Sequence, residues 1–349
     1  MRKLIALSAF ILCLAFPLAV FAGCWQDKYR TAKPTLSSED GWRLTYSDEF
    51  SDFSSLEEVW ENTSWTPVQH GARREGYWCD ETLKLDTAEG ALVVASFRDG
   101  NTECETCPEE GAFSGGVWTK DLFEQAFGYF EATVKVPTGS GMWSAFWLQT
   151  ESVSNIGHGG EDGTEIDVYE SSFQNNPTQT GNALHYDAYS APWYHYGDHV
   201  ADVKYNLYDG QYHTYSVWWN PEYYVFYVDG EAVWATDYAG VSKVPEYMML
   251  TVEINSNTYG PYGQKMGYFE NRKDDGNNFY IKSVKVWQNE EYEQYIQSPD
   301  DFDDKTREYT IGAAVGGTIG GVIFMTAPAL IIRAAVKKKA REHSRGNNL

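Results

Sequence analysis

Positive charge is scarce in this chain. Its 349 residues carry 27 Lys and Arg against 50 Asp and Glu, a net charge of −23. Setting aside the basic residues at the two ends leaves 19 Lys/Arg against 49 Asp/Glu, so the middle stands near −30. With no basic face to neutralise phosphates, nucleic acid is excluded as a partner. A highly sulfated polysaccharide would be repelled for the same reason. Cysteine is also sparse, at five residues. Cys104 and Cys107 form a C-x-x-C in an acidic loop, without two further ligands for zinc and without the βαβ pattern of a thioredoxin-like redox motif. Long amphipathic helical patterns are missing between the ends, and no segment repeats at a fixed period, which excludes a solenoid.

What is present begins with two apolar segments. Arg2 and Lys3 precede a run from Leu4 to Phe21, and Val20-Phe21-Ala22 offers small residues for cleavage after Ala22. Residues 1–22 therefore read as a signal peptide. Residues 311–332 form a second uncharged run, about 33 Å long as a helix, enough to cross a bilayer core of about 30 Å. Arg333, Lys337, Lys338, Lys339, Arg341 and Arg345 follow, so residues 333–349 read as a basic cytoplasmic tail. A signal for a lipid anchor would end in its apolar run instead. Between these ends lie a main domain, residues 23–288, and an acidic stalk, residues 289–310, with Asp300, Asp301, Asp303 and Asp304 clustered. The expected arrangement is a single-pass protein with its main domain outside the cell. Gly312, Gly316 and Gly320 are spaced to pack two such transmembrane helices into a homodimer. Export also suits the remaining cysteines: Cys24, Cys79, Cys104 and Cys107 allow two disulfides in three connectivities. Asn62-Thr63-Ser64 is a glycosylation sequon at Asn62.

Aromatic residues are abundant, with 13 Trp, 25 Tyr and 17 Phe. They fill a core, and aromatic faces also line sugar-binding clefts. Short alternating blocks rich in Val, Ile, Tyr and Phe recur at residues 91–95, 128–136, 223–228 and 279–287. Asp229-Gly230 has the chemistry of a hairpin turn between two of them. This is an all-β sandwich or barrel pattern.

The chemistry concentrates in Glu165-Ile166-Asp167-Val168-Tyr169-Glu170, three carboxylates in six residues of strand type. In a regular strand residues 165, 167 and 169 share one face and Glu170 points away. One extra residue, a β-bulge, would return Glu170 to the face of Glu165 and Asp167. Three acids on one face repel each other, and a retaining glycosidase makes use of that. It needs a nucleophilic carboxylate and a protonated acid with carboxyl groups about 5–5.5 Å apart. Like charges help keep one of them protonated. A calcium site would draw oxygen ligands from a flexible loop more naturally than from an apolar strand.

The hexapeptide matches the E-x-D-x-x-E signature of glycoside hydrolase family 16. Gly141-Met142-Trp143-Ser144-Ala145-Phe146-Trp147-Leu148 resembles that family's tryptophan-bearing strand, and Gly128-Tyr129-Phe130-Glu131-Ala132 the one before it. Residues 44–50 are similar to its opening strand, and Tyr212-His213-Thr214-Tyr215 with residues 226–230 to a later hairpin. The resemblance runs from about Leu44 to Trp287, with the motifs in order.

The resemblance implies a β-jelly-roll of two curved antiparallel sheets with a substrate cleft. It implies retaining endo-hydrolysis of a polysaccharide with Glu165 as nucleophile, Asp167 as its assisting carboxylate and Glu170 as general acid/base, and no cofactor. Trp143 matches a tryptophan that faces a sugar ring, Trp147 is a second contact or a core residue, and His185 matches a histidine near the catalytic centre. Many members bind calcium through an Asp in the last strand; Lys282 stands there in this chain, so no metal is expected. The expected substrate is a β-1,3- or β-1,3/1,4-glucan, with a β-galactan hydrolase, a cell-wall transglycosylase and a non-catalytic carbohydrate receptor as alternatives.

Overall fold

The computed structural model describes residues 27–302, apart from 101–107, 172, 190–196, 256–261, 263–265 and 273–276. The signal peptide, Cys24, Cys104, Cys107, the apolar run 311–332 and the basic tail lie outside the described residues. Among the described residues no helix is long and apolar enough to cross a membrane.

The fold is an all-β sandwich. Its first sheet contains β1 (Trp42–Glu49), β5 (Leu83–Asp86), β6 (Ala91–Val94), β11 (Gly128–Lys135), β16 (His213–Trp219), β17 (Tyr224–Val228), β18 (Glu231–Thr236) and β20 (Phe279–Asn289). The second contains β2 (Thr66–Pro67), β9 (Gly116–Trp118), β10 (Glu124–Gln125), β12 (Met142–Gln149), β13 (Glu165–Ser171), β14 (Gln179–His185), β15 (Gly197–Asp202) and β19 (Glu246–Ile254). Pairing within both is antiparallel. A smaller sheet joins β3 (Gly71–Arg73), β4 (Gly76–Trp78), β7 (Phe97–Gly100) and β8 (Glu110–Ser114). A short helix, α1 (Leu56–Asn62), starts at a Ser55 side-chain cap and carries the exposed Asn62 at its end.

The alternating blocks account for the sheets. In β11, Phe130, Ala132 and Val134 point into the sandwich, where Phe146, Leu148 and Ile166 of the second sheet meet them. Burying such side chains stabilises by roughly 1.5–3 kcal/mol each, so register is fixed by what would be exposed if a strand slipped one residue. Asp229 and Gly230 both adopt positive φ, 49° and 82°, and close the β17–β18 hairpin as a turn whose twist matches the strands.

Two expectations change. Cys79 carries a free thiol buried against Ala95, Phe97 and Phe113, and burial pushes its pKa up to about 11. The scheme of two disulfides using four cysteines is therefore corrected: an apolar packing role consumes one of them. Residues 289–302, read as the start of a stalk, pack on the sandwich. Tyr292 meets Trp42 edge-on at 5.7 Å, Arg43 pairs with Glu293 at 2.7 Å, and Phe302 lies against His158. Two aromatic rings in an acidic run anchor it despite its charge.

Candidate active site

Strand β13 lies inside the second sheet, between β12 and β14. Its register breaks against both neighbours. Asp167 opposes Trp147 and Ala183, whereas Glu170 opposes Ala145 and Gly181. Three steps along β13 thus match two steps on each partner, which is a bulge. Val168 and Tyr169 both enter the core, where the Tyr169 ring stacks on Tyr215 of the first sheet at 4.0 Å. Asn182, fully buried opposite the bulge, donates from Nδ2 to the Val168 carbonyl at 2.6 Å. That bond satisfies a backbone acceptor at the interrupted ladder. Glu170 is returned to the outer face beside Asp167 and Glu165.

The three acids occupy different environments. Glu165 accepts at Oε2 from Gln149 Nε2 (2.7 Å) and from the Tyr189 hydroxyl (2.5 Å). Gln149 is oriented by Tyr247, whose hydroxyl donates to its Oε1 at 2.9 Å. Tyr189 ends a run, Asp187-Ala188-Tyr189, in which every φ is positive, a strained turn that carries its ring over the acids. His185 Nε2 sits 3.3 Å from Asp167 Oδ2 and 3.9 Å from Glu165 Oε1. Glu170 Oε2 accepts from the Tyr262 hydroxyl at 2.6 Å. Tyr262 stands over Gly181, where an added Cβ would meet its ring at 2.1 Å, so a larger residue there would displace the ring.

These surroundings set the protons. Burial raises the Glu165 pKa to about 7, with the Asp167 charge adding to it and His185, Tyr189 and Gln149 opposing. Burial and the Asp167 charge push Glu170 well above the usual carboxylate range, against a smaller opposing effect of Tyr262. Burial disfavours a charged His185, but the bond to Asp167 and the three surrounding carboxyls win and raise its pKa to about 9. The site therefore combines an imidazole held toward its charged form, a glutamate with several donors whose pKa lies near neutrality and a second glutamate held toward its protonated form. Glu165, Asp167 and His185 are also a set whose ligand atoms fall within 4.8 Å of one another. A metal would need the imidazole lone pair. His185 Nε2, 3.3 Å from Asp167 Oδ2, makes a charge-assisted bond to that carboxylate when the ring is protonated.

The outer face extends onto β12 and β19 as an aromatic floor. Trp147 packs against Met249 and Tyr247, and its Nε1 donates to Thr251 Oγ1 at 3.0 Å. Trp143 is cross-strand to Glu253 and lies under Arg74, whose guanidinium stands 4.1 Å over the ring. Trp78 and Trp118 complete the floor. The structure thus brings Glu165, Asp167, Glu170, Trp143, Trp147 and His185 to one face of one sheet, and leaves Asn62 far along the chain on α1. Sequence reasoning missed Gln149, Tyr189, Asn182 and Tyr262. Gln149 was legible, since it continues the 143–145–147 alternation; Tyr189 and Tyr262 carry no periodic signal in the sequence.

A β-sandwich carrying a bulged strand with three carboxylates over an aromatic floor is the framework of a carbohydrate-active protein. The family model of glycosyl hydrolases family 16 matches residues 72–267, more than half of the chain, and the chain belongs to that family. It is 26% identical over 253 residues to endo-1,3-1,4-beta-glycanase ExsH of Rhizobium meliloti (strain 1021), covering 67% of this chain and 51% of that protein. It is 22% identical over 260 residues to glucan endo-1,3-beta-glucosidase A1 of Niallia circulans, covering 72% and 36%. The chain spans about half the length or less of these curated relatives. Among solved structures, porphyranase B from Zobellia galactanivorans superposes with a TM-score of 0.56 at 19% identity, covering 74% of this chain and 97% of that one. The laminarinase catalytic domain from Thermotoga maritima gives 0.54 at 19%, covering 71% and 98%. At such identities the superpositions speak for the fold.

Proposed function

We propose that this chain is a retaining endo-glycosidase of a β-1,3- or mixed β-1,3/1,4-glucan, acting from the cell surface. The observation that carries the reading is the bulge at Val168-Tyr169, which sets two glutamates with different surroundings on one face. Glu170 gives its proton to the glycosidic oxygen as the bond to the anomeric carbon breaks. Glu165 attacks that carbon from the opposite side and forms a glycosyl ester. Glu170, now a carboxylate, takes a proton from water, and the resulting hydroxide oxygen displaces Glu165 with net retention. His185, Tyr189 and Gln149 favour the ionised, attacking form of Glu165, while the Asp167 charge helps keep Glu170 protonated. No cofactor enters these steps. Trp147 and the neighbouring rings, with Arg74 stacked on Trp143, form the cleft floor for the sugars.

The glucan is favoured by the names of the curated relatives and by an acidic surface unsuited to dense sulfation. Residues 1–22 serve as the export signal, 311–332 as a single membrane-spanning helix and 333–349 as a cytoplasmic tail, with Gly312, Gly316 and Gly320 pairing two chains. Full-length protein and its Glu165→Gln variant, incubated with laminarin, barley mixed-linkage glucan, agarose and porphyran, test this reading through released reducing ends. Release from a glucan, lost in the variant, is the expected result. Release from a galactan alone would move the substrate to that class, and glucan binding without release would make the protein a receptor.

A further inference from the structure

Two arginines stand on the acid face of an otherwise anionic domain. The hairpin of β3 and β4 turns through Arg74, held at φ 51°, and docks on the end of β19 through the Arg74–Ile254 bridge and the bond from Glu75 N to the Ile254 carbonyl at 3.1 Å. A left-handed arginine is an unfavourable backbone choice. Here it aims the side chain at the floor. Arg73 Nε donates to Glu253 Oε1 at 2.5 Å, and Arg74 Nε donates to Glu253 Oε2. Glu253 is nearly buried, while Arg73 and Arg74 remain 43% and 42% exposed. The guanidinium of Arg73 lies 5.0 Å from the Trp78 ring centre and that of Arg74 lies 4.1 Å from that of Trp143.

One carboxylate between two guanidiniums leaves one positive charge. Each guanidinium presents five N–H groups, and only Nε is engaged by hydrogen bonds among the described residues. The terminal NH2 groups keep their donors for a ligand. Clamped by a common acid and stacked on indoles, both planes are pre-organised, which lowers the entropy lost on binding. Trp143 is two residues from Ala145, the partner of Glu170, so its Cα stands about 7 Å along β12 from the catalytic level.

From this arrangement we infer that Arg73 and Arg74 form a subsite for an oxyanion substituent, a carboxylate or sulfate ester, on the polysaccharide next to the bond that is cleaved. A guanidinium pair recognises such a group through charge-assisted, bidentate bonds. The domain's overall negative charge selects sparse rather than dense substitution, because each further anion meets a repulsive surface. The inference deepens the glycosidase reading and rests on this sheet face being the polysaccharide cleft.

Binding rather than turnover separates the two ideas. Full-length protein with Glu165→Gln is run in affinity electrophoresis against laminarin, lightly carboxymethylated laminarin and lightly sulfated laminarin. The expected result is at least about tenfold tighter retention by one of the charged polymers, a preference that shrinks with added salt. Whichever polymer is preferred identifies the oxyanion. Arg73→Gln/Arg74→Gln should bring the ratio of charged to neutral affinity to about one. Because that pair of changes strands Glu253, a second variant adds Glu253→Gln and should give the same ratio, with circular dichroism showing it folded. Equal retention of all three polymers by the Glu165→Gln protein, or an unchanged ratio in the folded triple variant, would overturn the subsite. Hydrolysis of laminarin by the unaltered protein reports separately on the glycosidase reading.

Discussion

Replacing His185 with glutamine removes a positive charge from the nucleophile's surroundings while keeping a polar arm in its place. His185 Nε2 lies 3.9 Å from Glu165 Oε1, and the group's pKa of about 9 keeps it charged at neutral pH. A unit charge at about 4 Å is worth about 1 kcal/mol in water and about 4 kcal/mol at an effective dielectric constant of 20. At about 1.4 kcal/mol per pH unit, Glu165 protonation should move by about one to three pH units. The sign follows from the role. Glu165 attacks as a carboxylate, so protonation limits the rate on the acid side, and losing a neighbouring cation favours the protonated form. The acid limb of kcat/KM, expected near Glu165's value of about 7, should therefore move to higher pH in His185→Gln. Reducing-end assays on laminarin across about pH 4 to 10 read it. An acid limb that stays in place, with the plateau merely lowered, would refute the electrostatic reasoning, as would a shift to lower pH.

Asn182→Ala leaves the buried Val168 carbonyl without its donor. It should cost about 1–3 kcal/mol of stability in urea unfolding and, by loosening the bulge that aims Glu170, lower kcat about ten- to a hundredfold with a smaller change in KM. Stability should fall as pH rises. Burial raises Glu246 to about 8 and, with the Asp167 charge, Glu165 to about 7, while the carboxyls around it bring His185 to about 9. In each case the folded form holds its proton longer than the unfolded one. The contribution is complete below the ordinary values of 4.5 for Glu and 6.5 for His and is lost as pH passes the folded values. Glu246, fully buried and accepting from Thr164 N at 3.1 Å, is the cleanest test. Glu246→Gln should flatten the decline of Tm between about pH 5 and 8, and an unchanged slope would count against its buried proton. Lys282 Nζ donates to the Glu89 carbonyl at 2.6 Å, so an ammonium holds an oxygen that a cation could use. EDTA should leave Tm within about 1 °C; a larger drop would reveal a structural metal.

The fold was legible where Val, Ile, Tyr and Phe cluster between turn residues, and in β11 and β20 burial alternates with period two. The blocks at residues 91–95, 128–136, 223–228 and 279–287 became β6, β11, β17 and β20, and Asp229-Gly230 became the expected turn. The bulge was legible as a necessity, since the three acids share a face only with an extra residue. Its support was not legible, because nothing in the sequence of β14 shows that Asn182 will face the Val168 carbonyl across the break. Tyr189 and Tyr262 escaped for a related reason. Tyr189 ends a run of positive φ and Tyr262 stands over Gly181 of β14, and neither placement leaves a periodic mark in the sequence. Cys79 was misjudged because pairing depends on neighbours in space, and its neighbours are Phe97 and Phe113. The run 289–302 looked like a stalk because its acids mask Tyr292 and Phe302, which are what hold it down.

The central claim is that Glu165 forms the covalent bond and Glu170 moves the proton. Trapping tests it most directly. Full-length protein is incubated with a 2-deoxy-2-fluoro laminaribiosyl fluoride, which slows the second displacement, then digested and mapped by mass spectrometry. The account predicts one glycosyl adduct, on the side chain of Glu165. An adduct on Glu170 or Asp167 would contradict the assignment of roles, and turnover without any adduct, giving an inverted first product, would contradict the retaining mechanism itself.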